Sequence, residues 1–261
     1  MKAGGEIPGL FHAAISRKNP DPFLNRPFCG MNSPPVTGYS GTAYPVYFDL
    51  RNNLFLNGTV ALTYYTTNSY VWSIRDNLFD GVALTVSSSG TNIAPANSNN
   101  GYYNTTNLTA SSGGDVALAT VDYQTGPRGN YYYPASGTNL FSLVNAGSRT
   151  ADLARLFHYT TQVSQAKETN SVVDIGYHSV AVDPNGNPID TDSDGIQDYM
   201  EDHNGNDTYD AGDLANFTSS DTDGDGVNDY LEYIQGRNPR IVGTASDTNQ
   251  VVKLRVYTPL K

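Results

Sequence analysis

The chain has a single cysteine, Cys29, in 261 residues. No intrachain disulfide can form, so stability must come from packing, hydrogen bonds or bound ions. The lone thiol has no catalytic signature around it and reads as a passive side chain. No apolar run is long enough to span a bilayer. The start, Met1-Lys-Ala-Gly-Gly-Glu-Ile-Pro, lacks the apolar core of an export signal. Charged residues make up only 16%, and the formal net charge of −11 argues against nucleic acid as a partner. Also absent are a phosphate-binding loop, a nucleophile motif and a zinc-spaced Cys/His cluster. The four histidines, His12, His158, His178 and His203, are scattered.

What is abundant points to β structure. Aromatics make up 11%, with Tyr 19 and Gly 25. Together with many Asn, Thr and Ser, this suits a β-rich extracellular surface better than a helical enzyme. Acids are unevenly spread. Of 26 Asp and Glu, 15 lie between Asp183 and Glu232, a stretch without Lys or Arg. Such a block repels itself unless counter-ions neutralise it.

The acids in that block are spaced. Asp190-Thr-Asp192-Ser-Asp194-Gly-Ile196-Gln-Asp198-Tyr-Met-Glu201 recurs as Asp221-Thr-Asp223-Gly-Asp225-Gly-Val227-Asn-Asp229-Tyr-Leu-Glu232. Each copy sets side-chain oxygens at positions 1, 3, 5, 9 and 12 with Gly at 6. That is the ligand order of an EF-hand-like calcium loop, in which the position-7 carbonyl, here Ile196 or Val227, also ligates. Alternate carboxylates on a tight curl aim inward, and Gly permits the turn. Between the two copies lies a degenerate third: Asp202, Asn204, Asn206, Thr208, Asp210 and Asp213 at positions 1, 3, 5, 7, 9 and 12. Position 6 is Asp207, a residue that tolerates left-handed backbone. The spacing predicts two strong Ca2+ sites and a weaker third. Turn-forming Asp, Asn and Gly without metal would explain the composition but not the repeated register.

A second periodicity precedes the acidic block. Phe48-x-Leu50-x-Asn52-Asn53-Leu54-Phe55 matches Trp72-x-Ile74-x-Asp76-Asn77-Leu78-Phe79, and Asn99-Asn100-Gly101-Tyr102 echoes its end. A step of this size, within the ~20–50 residue range of repeat folds, predicts stacked coils. Asn53, Asn77 and Asn100 would then form one ladder of amides, with Phe55, Phe79 and Tyr102 stacked. Further on, Tyr131-Tyr-Tyr-Pro134 reads as extended and Ala151–Phe157 as one or two helical turns. Val172–Val182 reads as a strand with a bulge at Gly176, and Asp229–Gln235 as a short helix capped by Gly236. The organisation is an irregular lead over 1–43, a β-solenoid end over 44–183, calcium-binding repeats over 184–239 and a C-terminal strand segment over 240–261.

Two resemblances follow. Asn145-Ala-Gly-Ser148 with Val173-Asp-Ile-Gly-Tyr-His178 resembles the closing element of secreted bacterial right-handed parallel β-helix proteins, with Asn145 where an aspartate is usual. The acidic block is similar to bacterial thrombospondin type 3 repeats, because the first two loops abut at Glu201-Asp202 with no room for long flanking helices. It lacks the cysteines of the animal repeats. These imply a mainly β fold, a short right-handed parallel β-helix followed by calcium loops. A β-sandwich with calcium loops is the alternative. The expected role is a non-catalytic calcium-binding structural or adhesion module of a secreted or cell-surface bacterial protein. The chain is expected to be a fragment or to start upstream, and a surface glycan or protein is the expected partner. A fragment of a polysaccharide lyase or hydrolase and a dockerin-like docking module are the other readings. Asp76 and Asp80 are the only paired acids in the coils, and each reads more easily as a turn residue than as a catalyst.

Overall fold

The computed structural model describes residues 28–29, 36–39, 48–65, 72–88, 96–108 and 111–243, with side chains described over 49–60, 73–85, 97–108 and 111–243. It is mainly β, with parallel and antiparallel sheets and few helical turns. The chain divides into two compact units, Met1–Ser179 and Val180–Lys261. Among the described residues no helix is long and apolar enough to cross a membrane.

Through β9 the strand pairs of the first unit are parallel and follow the sequence repeat. Strand β1 is Phe28–Cys29, β2 Val36–Tyr39, β3 Phe48–Arg51, β4 Leu54–Tyr65, β5 Trp72–Arg75, β6 Leu78–Ser88, β7 Ala96–Ser98, β8 Gly101–Tyr103 and β9 Val116–Ala117. One sheet runs β3-β5-β7, with Phe48 opposite Trp72 and Ser73 opposite Ala96. The other runs β1-β4-β6-β8-β9, with Phe55 opposite Phe79 and Phe79 opposite Tyr102. The parallel pairing of equivalent positions runs against the sandwich alternative, whose hairpins pair antiparallel.

The corners explain the register. Asn52, Asp76 and Asn99 each take positive φ (53°, 59° and 53°), a conformation that Asn and Asp adopt at less cost than other side chains. Each directs the chain from one sheet into the next. The following residue enters the ladder. Asn53 Nδ2 donates to Asn77 Oδ1 at 3.0 Å and Asn77 Nδ2 to Asn100 Oδ1 at 3.1 Å. Asn77 Nδ2 also donates to the carbonyls of Leu50 and Arg75, each at 2.8 Å. A second left-handed bend recurs at Asn57, Gly81 and Asn104. The sequence reading missed it, although the residues keep the same step. A Cβ at Gly81 would lie 2.8 Å from Asn57 Oδ1, so a larger residue there would have to push that amide aside.

Behind the ladder the aromatics stack as the repeat predicts: Phe55 on Phe79 at 5.0 Å and Phe79 on Tyr102 at 5.5 Å between centroids. They pack with Val60, Ile74, Val82 and Leu108 in one core. We expect Asn77→Ala to lower the denaturant midpoint of the first unit by at least ~2 kcal/mol equivalent, since each buried polar group left unpaired costs ~1–3 kcal/mol. An unchanged midpoint would mean that the ladder is ornamental.

The segment after β9 closes this unit. An antiparallel hairpin, β10 (Gln124–Gly126) and β11 (Gly129–Tyr132), precedes a 3-10 turn, Asn139–Leu143. Helix α1 spans Ala151–Ala154, within the stretch expected to make one or two turns. Leu140, Leu143, Tyr133 and Ile175 bury Leu54 and Leu78 in a second core cluster. The two halves of the closing motif meet. Asn145, in left-handed conformation, donates its N–H to Asp174 Oδ1 at 2.7 Å, and Gly147 N donates to the Val173 carbonyl at 2.8 Å. A side chain at Gly147 would clash, its Cβ 2.5 Å from that carbonyl oxygen.

Several expectations need correction. The lead over 1–43 is not wholly irregular, since β1 and β2 pair in parallel with β4; the rest of it lies outside the described residues. Val172–Val182 is not a continuous strand. Only Ser179–Val180 is a strand within it, and Gly176 (φ 115°) breaks the path. The β-branched run is spent on buried loop contacts of Val173 and Ile175 instead of on a sheet. The C-terminal strand expected at Val251–Tyr257 lies outside the described residues.

A buried polar knot lies beneath the closing motif. His178 Nε2 is 2.7 Å from Glu168 Oε1, and Nδ1 is 3.0 Å from the Gly176 carbonyl. Both ring nitrogens face acceptors, which favours the doubly protonated ring. Asp174 N donates to the same Glu168 oxygen, and Thr161 Oγ1 donates to Asp174 Oδ2. Burial opposes charge on His178, but Glu168, Asp174 and the Gly176 carbonyl together outweigh it and the pKa rises. Burial, helped by Glu168, pushes Asp174 up to about 6. Both folded pKa values exceed the unfolded ones, so both groups stabilise at low pH and lose that contribution as pH rises through the folded values. We expect the first unit's melting midpoint to fall between pH 5 and 8. The fall should shrink in Asp174→Asn, and a slope identical to that of the parent would exclude this group.

Candidate metal centre

Three loops occupy the second unit: 190–201, 202–213 and 221–232. The first and last share one backbone plan. In each, the aspartates at positions 3 and 5 accept from N–H groups two residues on. Asp194 N donates to Asp192 Oδ1 at 3.2 Å and Ile196 N to Asp194 Oδ1 at 2.7 Å. The matching bonds in the last loop are Asp225 N to Asp223 Oδ1 at 3.0 Å and Val227 N to Asp225 Oδ1 at 2.9 Å. These Asx turns curl the chain. The N–H at position 6 closes the ring: Gly195 N donates to Asp190 Oδ2 at 3.1 Å and Gly226 N to Asp221 Oδ2 at 2.9 Å. Both glycines take positive φ, 110° and 90°.

The middle loop adopts the same path without glycine at position 6. Asp207 has φ 66°, and its N–H donates to Asp202 Oδ2 at 2.8 Å. Position 4 is also left-handed in all three loops, at Ser193, Gly205 and Gly224.

Two short helices bring in the end of each outer loop. Helix α2 is Asp198–Glu201 and α3 is Asp229–Gln235. Residues three apart on a helix share a face, so positions 9 and 12 turn together toward the loop. Asn228 caps α3 by accepting from Leu231 N at 2.9 Å, and Gly236 ends it at φ 72°. The apolar residues Leu231 and Ile234 on this helix are exposed. Sequence reasoning also missed the position-2 threonines. Thr191 donates through N and Oγ1 to the two oxygens of Asp198, each at 2.7 Å; Thr222 does the same to Asp229 at 2.8 and 2.6 Å. Their identity in both copies was the available signal.

What remains after these bonds decides the chemistry. Asp190 Oδ1, Asp192 Oδ2, both Glu201 oxygens and Asp223 Oδ2 are buried without a hydrogen-bond partner. Glu232 Oε2 is likewise buried without one, while Arg237 Nη2 lies 3.1 Å from Oε1. Buried acceptors of this kind are normally satisfied. The expected ligands do converge. Asp190, Asp192 and Asp194 offer one oxygen each within 4.8 Å of one another, as do Asp221, Asp223 and Asp225. A third group joins Asp194 and Glu201 to Asp229 of the last loop. These groups could hold metal ions. Asp198 joins no such group among the described residues.

The electrostatics agree. Burial, then the neighbouring Asp192 and Asp194, push Glu201 up to about 9. Burial, followed by Asp223, pushes Glu232 up to about 7, and burial pushes Asp192 up to about 6. Acids so shifted are carboxylates enclosed away from water beside other carboxylates.

The middle loop is differently engaged. Asn204 Nδ2 and Asn206 Nδ2 donate to Asp210 Oδ2 at 3.0 and 3.1 Å, and Asp210 N donates to Asp213 Oδ2 at 2.7 Å. Hydrogen bonds from Gly212 N and these amides hold Asp210 below the ordinary carboxylate range. Asn204 Oδ1 and Asp213 Oδ1 are its unpartnered buried oxygens. Asn206 Oδ1 accepts from Thr208 N at 2.8 Å. Two of its positions are amides where the outer loops have carboxylates, so it gathers less negative charge. No protein-family model, curated protein or solved structure matches the chain.

Proposed function

We propose that the chain is a non-catalytic calcium-binding structural and adhesion module of a secreted or cell-surface bacterial protein. Its first unit is read as the end of a short right-handed parallel β-helix, and its second as thrombospondin type 3-like calcium repeats. The observation that carries this is the set of buried, unpartnered carboxylate oxygens at equivalent positions of two loops. The donor groups are all oxygen, with neither His nor Cys. Calcium takes six to eight oxygens, whereas zinc favours nitrogen and sulfur. When bound, calcium supplies positive charge that lets the acidic curls pack. The residues that would hold it are Asp190, Asp192, Asp194 and Glu201 in the first loop and Asp221, Asp223, Asp225 and Glu232 in the last.

The catalytic alternative has less support. Asp76 is paired with Arg149 and Ser148, and Asp80 is buried with the Tyr123 hydroxyl at 2.9 Å, so neither acid is offered to a substrate. The dockerin-like alternative asks for a helix of about three turns after each loop, and α2 has only four residues.

Calorimetric titration of chelator-treated protein with calcium tests the proposal. Two or three ions should bind, and Asp190→Ala and Asp221→Ala should each remove about one. No heat at millimolar calcium would leave the acidic loops as solvated linker.

A further inference from the structure

We propose that the first calcium loop is completed by a ligand from the last: Asp229 joins Asp194 and Glu201 on one hard divalent cation and thereby couples the two loops. The inference rests on the calcium reading above but departs from it, because that reading treats each loop as self-contained.

Three observations carry it. One oxygen each of Asp194, Glu201 and Asp229 lies within 4.8 Å of the others, although Asp229 comes from the last loop and the other two from the first. All are buried, with Glu201 and Asp229 both 0% exposed. Neither Glu201 oxygen has a hydrogen-bond partner, so a fully enclosed carboxylate points at Asp194 and Asp229 with nothing to neutralise it. A buried charge without a partner is strongly unfavourable, and a shared cation is the counter-charge that an all-acid group calls for.

The loops are held in register for this. Tyr230 N donates to Asp194 Oδ2 at 3.0 Å, and Asn228 Nδ2 reaches the Asp194 carbonyl at 3.4 Å. These two residues flank Asp229 and set its carboxylate against the first loop. The arrangement is not reciprocal. Asp198, the corresponding residue of the first loop, has the same threonine clasp, but among the described residues no three-carboxylate group within 4.8 Å includes it. Position 9 of the last loop therefore serves the first.

The test uses the full chain, treated with chelator, and reads calcium by calorimetry and terbium by luminescence. Asp223→Asn with Glu232→Gln disables the last loop's own ligands and leaves Asp229 in place. In that background Asp229→Asn should weaken the remaining first-loop site at least ~10-fold, the scale reached even by outer-shell partners of a metal. Thr222→Val, which removes the hydroxyl clasp but keeps the carboxylate, should weaken that affinity less than Asp229→Asn does. The cycle isolates Asp229 from the last loop's own binding. The inference is overturned if Asp229→Asn is silent in this background, or if Thr222→Val reproduces its loss. A parent chain that binds no ion at all would remove the calcium reading, and this one with it. A parent that binds while Asp229→Asn is silent would remove this one alone.

Discussion

Adding calcium to ~100 times its dissociation constant should stabilise the chelator-treated second unit by ~2.7 kcal/mol for each ion bound to the folded state alone. Two ions give ~5 kcal/mol. For a unit of this size, at ~4–8 °C per kcal/mol, the melting midpoint should rise by at least ~20 °C. The first unit, in which none of these acidic groups lies among the described residues, should keep its midpoint. Limited proteolysis offers the same contrast: with chelator, cleavage concentrates between Asp190 and Glu232, and with calcium it stops there. Equal cleavage in both conditions would sink the idea.

The size of the effect should depend on pH with a definite sign. In the metal-free fold Glu201 sits at about 9 and Glu232 at about 7, both raised above their ordinary value of 4.5. A raised folded pKa means that the folded state holds the proton more tightly, so metal-free stability is lost as pH climbs from 4.5 through those values. Calcium must displace these protons. Its stabilisation should therefore be larger at pH 8 than at pH 5, and binding should release protons to the buffer. Calorimetry in two buffers of different ionisation enthalpy would detect the release.

Arg149→Met should destabilise the first unit by ~3–5 kcal/mol, the cost of stranding a buried charge. Arg149 Nη1 lies 2.6 Å from Asp76 Oδ2, and its Nη2 donates to Asn52 Oδ1 at 2.8 Å. Asp76 is fully buried and also accepts from Ser148 through N and Oγ, at 2.6 and 2.9 Å. Burial alone pushes the Asp76 pKa up, and Arg149 opposes it. Asp76→Asn combined with Arg149→Met should recover more than half of the loss, because the amide keeps an acceptor for Ser148 and strands no charge. Denaturant unfolding of the three proteins gives the answer. Equal instability of the single and double variants would show that Arg149 acts through its packing and not through the pair.

Much of the local chemistry was legible because it repeats or lies within a dozen residues. The Asx curls of Asp192–Ile196 and Asp223–Val227 need only alternate Asp and a glycine, and both are written consecutively in the chain. The Asn53, Asn77 and Asn100 ladder was legible because its residues recur at one step. The left-handed corner at Asn57, Gly81 and Asn104 keeps that step too, but residue type varies there and the eye passes over it. Val172–Val182 misled because β-branched composition reports burial as readily as it reports a strand. Here Val173 and Ile175 are buried in closing contacts.

By itself, then, the sequence determined the curl of each acidic loop, the step at which equivalent strands pair and the cap of α3. These depend on backbone preferences and on spacings along one stretch of chain. Only the tertiary structure decided that Asp229 faces Glu201, that Arg149 reaches back to Asp76 and that His178 finds Glu168. Each of these joins residues with no common period, and what joins them is which surfaces pack. In a buried setting a charge must find its counter-charge wherever the fold puts it, and no local pattern records the address.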